Sequence, residues 1–456
     1  MLLLLSFCIY IPKILFGFWL SHTIWREPSP QALWFKLFLG ILLGMGLWSL
    51  GYFLWIWAGL NRYIFPWLEL AVSLVFAALA FPTLRLLFVS LSFRSLKSPL
   101  NLVFLLVVLA VATLFSLRLY MNPHGNEDAW FIWNLNSRFI YLAQDFRILY
   151  SPGGPGWHPD YPLMVSLNIV SGWVMLQQDS TRIQMAVTTL FTLVLPGILF
   201  SGLTLLKDAK QAALATIVIL SSPLIINDGI SQQADIPVAA FILASLVLMA
   251  LFFRTRETNL LFLAGLTTSL TAWAKNEGYL FIFVSAVLVV VFLMVLKQIR
   301  FIISYIIGMG IPFLVILLYK LSLPVSNDLF AKNDLAQLLD WNRYVYIFRS
   351  MFQSIVVFGE WPLVSLPAIL FIYAILKWFE YSEPVILKFI GLALLGQLTG
   401  YFVIYLLTPH DLIWHVNTSL GRLLLQLFPA ALFLFFCATK SPDFNLSEGW
   451  KNASHN

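Results

Sequence analysis

The sequence predicts an all-α polytopic membrane protein of about thirteen transmembrane helices, with amphipathic interfacial helices in its outer loops. Three observations carry that class. First, 60% of the 456 residues are apolar and only 11% are charged, where a soluble globule keeps about a quarter of its residues charged. Second, the apolar residues fall into runs that match the roughly 20 residues a helix needs to cross a bilayer. Third, Lys and Arg sit singly or in pairs in the short loops between those runs, which is the bias of cytoplasmic loops. That scatter accounts for the formal net charge of +6 and argues against nucleic acid as a partner. The 40 Phe, 17 Trp and 16 Tyr suit either interfacial anchors or a tight helical core. Cys8 and Cys437 lie in apolar runs at opposite ends of the sequence, which leaves no disulfide frame and no cysteine metal site.

Taken in order, the apolar runs are residues 2–20, 34–59, 66–91, 100–120, 184–206, 211–227, 236–253, 259–275, 278–297, 301–321, 363–377, 386–407 and 421–438. The opening MLLLLSFCIYIP lacks the basic start and the small-residue cleavage site of a secretory signal, so it reads as a first helix. Two further apolar stretches, 161–177 and about 344–358, are decided by parity. The loops holding Arg94 and Lys97, Lys207 and Lys210, Arg254 and Arg256, Lys297 and Arg300, Lys377, and Lys440 are all basic. If all of them face the cytoplasm, an even number of crossings separates each from the next. Neither stretch then crosses, and both become amphipathic helices along the outer interface with one apolar face in lipid. The N-terminus falls outside and the tail from Ser441 inside; the competing arrangement, in which both stretches cross, stays open at this point. No repeat of fixed period and no second, soluble domain is visible, so residues 1–456 read as one transmembrane domain. Residues 1–99 hold three N-terminal helices without an assigned role, 100–300 a core with an outer loop over 121–183, and 301–456 the C-terminal helices.

The outer loops collect the unusual polar residues. Residues 121–162, MNPHGNEDAWFIWNLNSRFIYLAQDFRILYSPGGPGWHPDYP, form the first long stretch able to leave the lipid. Glu127 and Asp128 follow directly on the run 100–120, where a carboxylate is anchored by the bundle yet faces water and can act as a general base toward a hydroxyl nucleophile. A solvated acid, or an ion pair with Arg138, is the plainer reading. His158 precedes a proline, which keeps it out of a helix; with Asp160 it closes the loop, as a contact to a polar head group or as an ordinary loop histidine. Asp235, in the outward loop of Asn227 to Asp235, opens a helix whose N-terminus favours negative charge. It is either an acid of the site, in the company of Asp228, or a cap. Lys275, Asn276 and Glu277 interrupt an apolar run at WAKNEGY, where the ammonium either holds a phosphate or pairs with Glu277. In TPHDLIWHVNTSLGR, read as a loop, His410, Asp411 and His415 lead to Arg422 at the start of the last run. A guanidinium there either grips a phosphate bidentately or snorkels to lipid phosphates.

The signatures HExxH, GxSxG, GxxxxGK[ST] and paired CxxC are absent, so zinc-protease, serine-hydrolase and NTPase readings have no local support. No metal-ligand spacing is recognisable; no metal residue is assigned, and a divalent ion stays open. Several features together resemble the GT-C glycosyltransferases, among them the protein O-mannosyltransferases and the lipid A aminoarabinose transferases. These are an acidic residue just after an early span (Asp128), a His-Pro element closing the first outer loop (His158), an Asp-Xaa-Pro opening a later helix (Asp235), a lysine turn (Lys275) and an arginine near the last spans (Arg422). The resemblance covers about residues 100–300, with a weaker match near Arg422. It implies a GT-C-type fold with a catalytic core over 100–300, and inverting transfer of a sugar from a polyprenyl phosphate to an acceptor on the non-cytoplasmic face. It makes Asp128 the base with Glu127 as its substitute in EDAW, Asp235 a second active-site acid, Lys275 and Arg422 the donor-phosphate contacts, and His158, Asp160 and His415 head-group or acceptor contacts. The residues agree with that chemistry on their own terms: a phosphate is already a good leaving group, so one carboxylate base and cationic charge on the departing oxygen suffice. Most glycoside hydrolases need two carboxylates instead. The acceptor is a lipid, glycan or protein hydroxyl, and the expected place is a plasma or inner membrane with the active site on its outer face. Two rivals remain: a transporter or flippase of a lipid-linked saccharide, which calls for charges deep in several helices and two matching halves, and a scaffold without catalysis.

Overall fold

The computed structural model describes residues 2–89, 99–155, 158–324, 335–361, 365–379 and 383–441, and it builds the chain from helices, with no strand among the described residues. Helices α1 (Leu2–Cys8) and α2 (Ile11–Ile24) lead into α3 (Pro30–Trp57), α4 (Phe65–Val89) and α5 (Pro99–Met121). The first long connection holds a π-helical turn at Ala129–Trp133, α6 (Asn134–Ala143) and α7 (Met164–Leu176). Then follow α8 (Thr181–Leu206), α9 (Ala209–Leu220), α10 (Pro223–Ile230), α11 (Asp235–Thr255), α12 (Thr258–Ala274), α13 (Gly278–Val295) and α14 (Ile302–Leu321). The chain closes with α15 (Trp341–Val356), α16 (Leu366–Lys377), α17 (Pro384–Leu407) and α18 (Leu412–Ala438). Several starts are written in the sequence. Pro30, Pro223 and Pro384 sit in first turns, where a missing N–H loses no bond. Asp208, Asp340 and Asp411 cap α9, α15 and α18 by accepting backbone N–H bonds.

Among the described residues, 9 helices are long and apolar enough to cross a membrane: α3, α4, α5, α8, α11, α13, α14, α17 and α18. The protein is therefore an all-α, multi-pass membrane protein. The other four apolar runs fall short for local reasons. Run 2–20 breaks between α1 and α2. Run 211–227 becomes α9 and α10, bent 65° apart ahead of Pro223. Helix α12 has 17 residues and α16 has 12.

Helix α11 is buried from Asp235 to Phe253, with α8, α12 and α18 packed around it. A helix apolar on every side belongs at the centre of a bundle. Helices α5, α13 and α14 lie outside and expose side chains such as Leu106, Phe283 and Leu314. At Gly44 a Cβ would collide with the Lys13 carbonyl oxygen, so glycine lets the backbones of α2 and α3 touch, the small-residue contact by which membrane helices associate.

The interfacial placement expected for residues 161–177 is overturned. Helix α7 is buried from Met164 to Val174 against α3, α6 and α8, which leaves no face for lipid. At 13 residues it is too short to span, so it enters the bundle without crossing it. Its polar groups are met there. Lys13 donates to Asn168 Oδ1 at 3.1 Å and to Ser171 Oγ at 2.8 Å, and lies 3.8 Å from the Glu69 carboxylate. Asn168 Nδ2 donates to the Met45 carbonyl at 3.1 Å. This buried network ties α2, α3 and α4 to α7. Helix α15 matches its expectation better: it buries Ile347 and Met351 and exposes Phe348 and Phe352, as an amphipathic helix does.

The helix ends sort into two sets. At one, Arg254 meets Glu383 and the Leu206 carbonyl, and Arg256 meets Gln298, among the basic loops of Lys207, Lys297 and Lys440. At the other, α11, α13 and α18 begin, α5, α12, α14 and α17 end, and the first long connection lies beside them. The loop of Arg94 and Lys97 and the tail from residue 442 lie outside the described residues.

Candidate functional site

Asp128, Asp235, Lys275 and Arg422 meet at this second end. After α5 the chain turns at Gly125, whose φ of +73° and contact with the Ser231 carbonyl admit only glycine. The Asn126 N–H then donates to the Ser231 carbonyl at 3.1 Å, which moors the loop to the α10–α11 connection. Asp128 precedes the π-helical turn without capping it, so its carboxylate is available to Arg422, whose Nη1 donates to Asp128 Oδ2. The turn buries Ala129, Ile132 and Trp133 and leaves Trp130 and Phe131 exposed; such π-turns insert an extra residue and cluster at functional sites. Ser166 of α7 donates to the Trp133 carbonyl at 3.0 Å and holds the turn from beneath.

Asp235 is 1% exposed and Lys275 5%. Asp235 does not act as a cap: its Oδ1 accepts from Lys275 Nζ at 3.0 Å and from Gln426 Nε2 at 2.7 Å. Lys275 also meets Glu277 Oε1 at 2.9 Å, so it serves two carboxylates at once. Burial pulls the Lys275 pKa down, but the negative charges of Asp235 and Glu277 outweigh it and hold the pKa above the ordinary lysine value. Behind Gln426 a relay continues, with Tyr401 donating to Gln426 Oε1 at 2.9 Å and Gln397 to the Tyr401 hydroxyl at 3.2 Å.

The remaining residues lie around this cluster, with Asp160 buried beneath the groove lining. Arg422 is not at a helix start as expected, because α18 begins at Leu412 and Asp411 caps it. It points inward to Asp128 and does not snorkel. Arg138 pairs with Asp179 at 3.4 Å, which leaves Glu127 and Asp128 to the site. Of the outward loop expected over Asn227 to Asp235, residues 227–230 are the end of α10, with Asp228 on it, and Asp235 opens α11. Asp160 accepts from Asn276 Nδ2 at 2.9 Å, and Lys320 bonds Asn276 Oδ1 at 2.8 Å and the Asp160 carbonyl. His158 stacks on Tyr161 with ring centroids 4.6 Å apart, and His415 Nδ1 lies 2.8 Å from Thr408 Oγ1. Sequence reasoning missed Gln426, Gln397, Tyr401 and Lys320. The available signal was Gln426 four residues after Arg422, one turn along the same helix face.

Two cavities adjoin the cluster. One is a groove of about 1160 Å³ between α13, α14 and α17, walled by Leu280, Phe283, Leu288, Leu317 and Leu395, with Lys275, Lys320, His158 and Arg422 at its polar end. The other is an open cleft of about 780 Å³ lined by Asn126, Glu127, Asp128, Trp130, Gln233 and Arg422. Thr418 and Arg422 line both, so the guanidinium stands in the partition between an apolar groove with a cationic end and a polar cleft with a carboxylate. Such an arrangement suits an amphiphile with an anionic head on one side and a hydroxyl compound within reach of a base on the other. Among the described residues, no group of three or more His, Cys, Asp or Glu is placed to hold a metal ion. Comparison with known proteins finds no family model, no curated protein and no solved structure that matches this chain, and its function is argued from this geometry.

Proposed function

We propose that the protein is a GT-C-type glycosyltransferase that moves a sugar, with inversion, from a polyprenyl-phosphate donor to an acceptor hydroxyl. The observation that carries this reading is Arg422, the shared wall of the groove and the cleft, bonded to Asp128. The donor's prenyl chain lies in the groove and its phosphate against Arg422 and Lys275. The acceptor hydroxyl enters the cleft, Asp128 takes its proton, and the oxygen attacks the anomeric carbon from the face opposite the phosphate. The bond from that carbon to the phosphate oxygen breaks with its electron pair on the phosphate, where Arg422 and Lys275 stabilise the charge. Asp235 and Glu277 position Lys275, Glu127 borders the acceptor, His158 and His415 border the head group, and Asp160 acts on it through Asn276.

The proposal includes a topology of thirteen passes, which adds the α1–α2 pair, the bent α9–α10 pair, α12 and α16 to the nine long helices. The basic loops at the opposite end of the bundle support an outer-face site. A transporter of lipid-linked saccharides is the weaker reading, because the deep charges Lys13 and Glu69 line neither cavity.

The test incubates the purified protein in lipid nanodiscs with a panel of polyprenyl-phosphate sugars and follows release of the free lipid phosphate. One donor is expected to turn over, and Asp128→Asn, folded as judged by its unfolding midpoint, is expected to abolish turnover. Turnover of that variant at the wild-type rate removes Asp128 as the base. Movement of intact donor across a liposome membrane without cleavage replaces the enzyme with the transporter.

A further inference from the structure

The cleft beside Asp128 carries information about the acceptor. Gln233 is 8% exposed, and its side-chain Oε1 is buried without a hydrogen-bond partner while Gln233 lines the cleft. A buried carbonyl oxygen left unpaired costs about 1 to 3 kcal/mol, and Gln233 borders both the cleft and a small inner pocket shared with Gln184, so a rotation of its side chain brings this acceptor to a donor in the cleft. Asn122, Asn126 and Glu127 line the same cleft with no side-chain partner among the described residues. The cleft therefore offers amide N–H donors beside amide and carboxylate acceptors. A hydroxyl both donates and accepts, and neighbouring hydroxyls on a ring match such mixed pairs. Trp130, 57% exposed on the π-helical turn, adds a flat apolar face of the kind on which the C–H side of a sugar ring packs. Charge narrows the class further. Two carboxylates face the cleft against one guanidinium, already bonded to Asp128, so Glu127 leaves a net negative wall that repels phosphate or uronate.

We propose that the cleft binds a neutral saccharide as the acceptor, in preference to a phosphorylated glycolipid head group or a hydroxyl-bearing peptide. The proposal rests on the glycosyltransferase reading for its chemistry, but the binding itself does not need the donor. A peptide acceptor would be expected to pair with an exposed strand edge, and no strand is present among the described residues.

Saturation-transfer NMR on the full-length protein in nanodiscs tests this with three probes: neutral gluco-, manno- and galacto-oligosaccharides, their phosphorylated counterparts, and a Ser/Thr-rich peptide. At least one neutral series is expected to receive saturation, strongest at ring C–H protons, and its affinity to fall about tenfold in Gln233→Leu and in Trp130→Ala. Glu127 is exposed, so Glu127→Lys should fold whatever the fate of the Gln233 variant, and it is expected to shift preference toward the phosphorylated glycans. Absence of binding by every neutral series, or stronger binding of the phosphorylated glycans or the peptide by the native protein, overturns the proposal. Saccharide binding without turnover of any donor sinks the glycosyltransferase reading and leaves the saccharide site standing. Donor turnover without saccharide binding does the reverse.

Discussion

At the scale of single residues, the centre of the site is a set of charges that balance one another out of water. Lys275 holds Asp235 and Glu277 together, and removing one partner of a buried pair costs more than removing both. Lys275→Met is therefore expected to destabilise the protein by about 3 to 5 kcal/mol, with much of that recovered in Lys275→Met/Asp235→Leu. Thermal unfolding in detergent measures both; equal stability of the two variants contradicts the pairing. Charged residues in the cluster were legible in the sequence because any charge stands out in an apolar chain. The amides were not. Gln426 reaches Asp235 across 191 positions, and Gln233 differs in no local way from Gln232 beside it. An amide carries no charge to draw attention, and its role is set by partners that only the tertiary structure brings near.

At the scale of elements, the groove between α13 and α17 makes the sharpest demand. Leu395 is exposed on its wall, far along α17 from the charged cluster. Under the proposed glycosyl transfer, Leu395→Trp is expected to narrow the groove and raise KM for a polyprenyl-phosphate donor several-fold with kcat little changed, because only ground-state and transition-state binding shared alike is lost. A fall in kcat at constant KM places the prenyl chain elsewhere. The long apolar helices were readable from length and composition alone. Two elements were not, for opposite reasons. Helix α7 is apolar on all sides apart from Asn168 and a few serines, so nothing in its pattern separates a buried insert from an interfacial helix. The first turns of α18 carry His415, Thr418 and Ser419, and that polarity reads as loop although it is the lining of a cavity within a helix.

At the scale of the whole molecule, the two sets of helix ends predict opposite accessibility. In a protein freed of Cys8 and Cys437, Gln144→Cys in the first long connection and Lys297→Cys among the basic loops should label from opposite sides of the membrane with a membrane-impermeant maleimide. Labelling of both from one side refutes the alternation of the helices. The buried lysine of α2 also sets an order of events during synthesis. Lys13 leaves the ribosome early and Glu69 follows on α4, yet the hydrogen-bond partners Asn168 and Ser171 come only 155 and 158 residues later. A lysine at the centre of a bilayer costs about 2.5 to 3.5 kcal/mol, and until α7 arrives the long contact with Glu69 offsets only part of that. Helix α2 is thus made first and locked late. Nascent chains stalled shortly before α7 emerges should leave the N-terminal segment open to protease, and chains stalled after it should protect that segment. In this protein the beginning of the chain waits for its middle, and the completed first long connection, through α7, fastens the first helices in place.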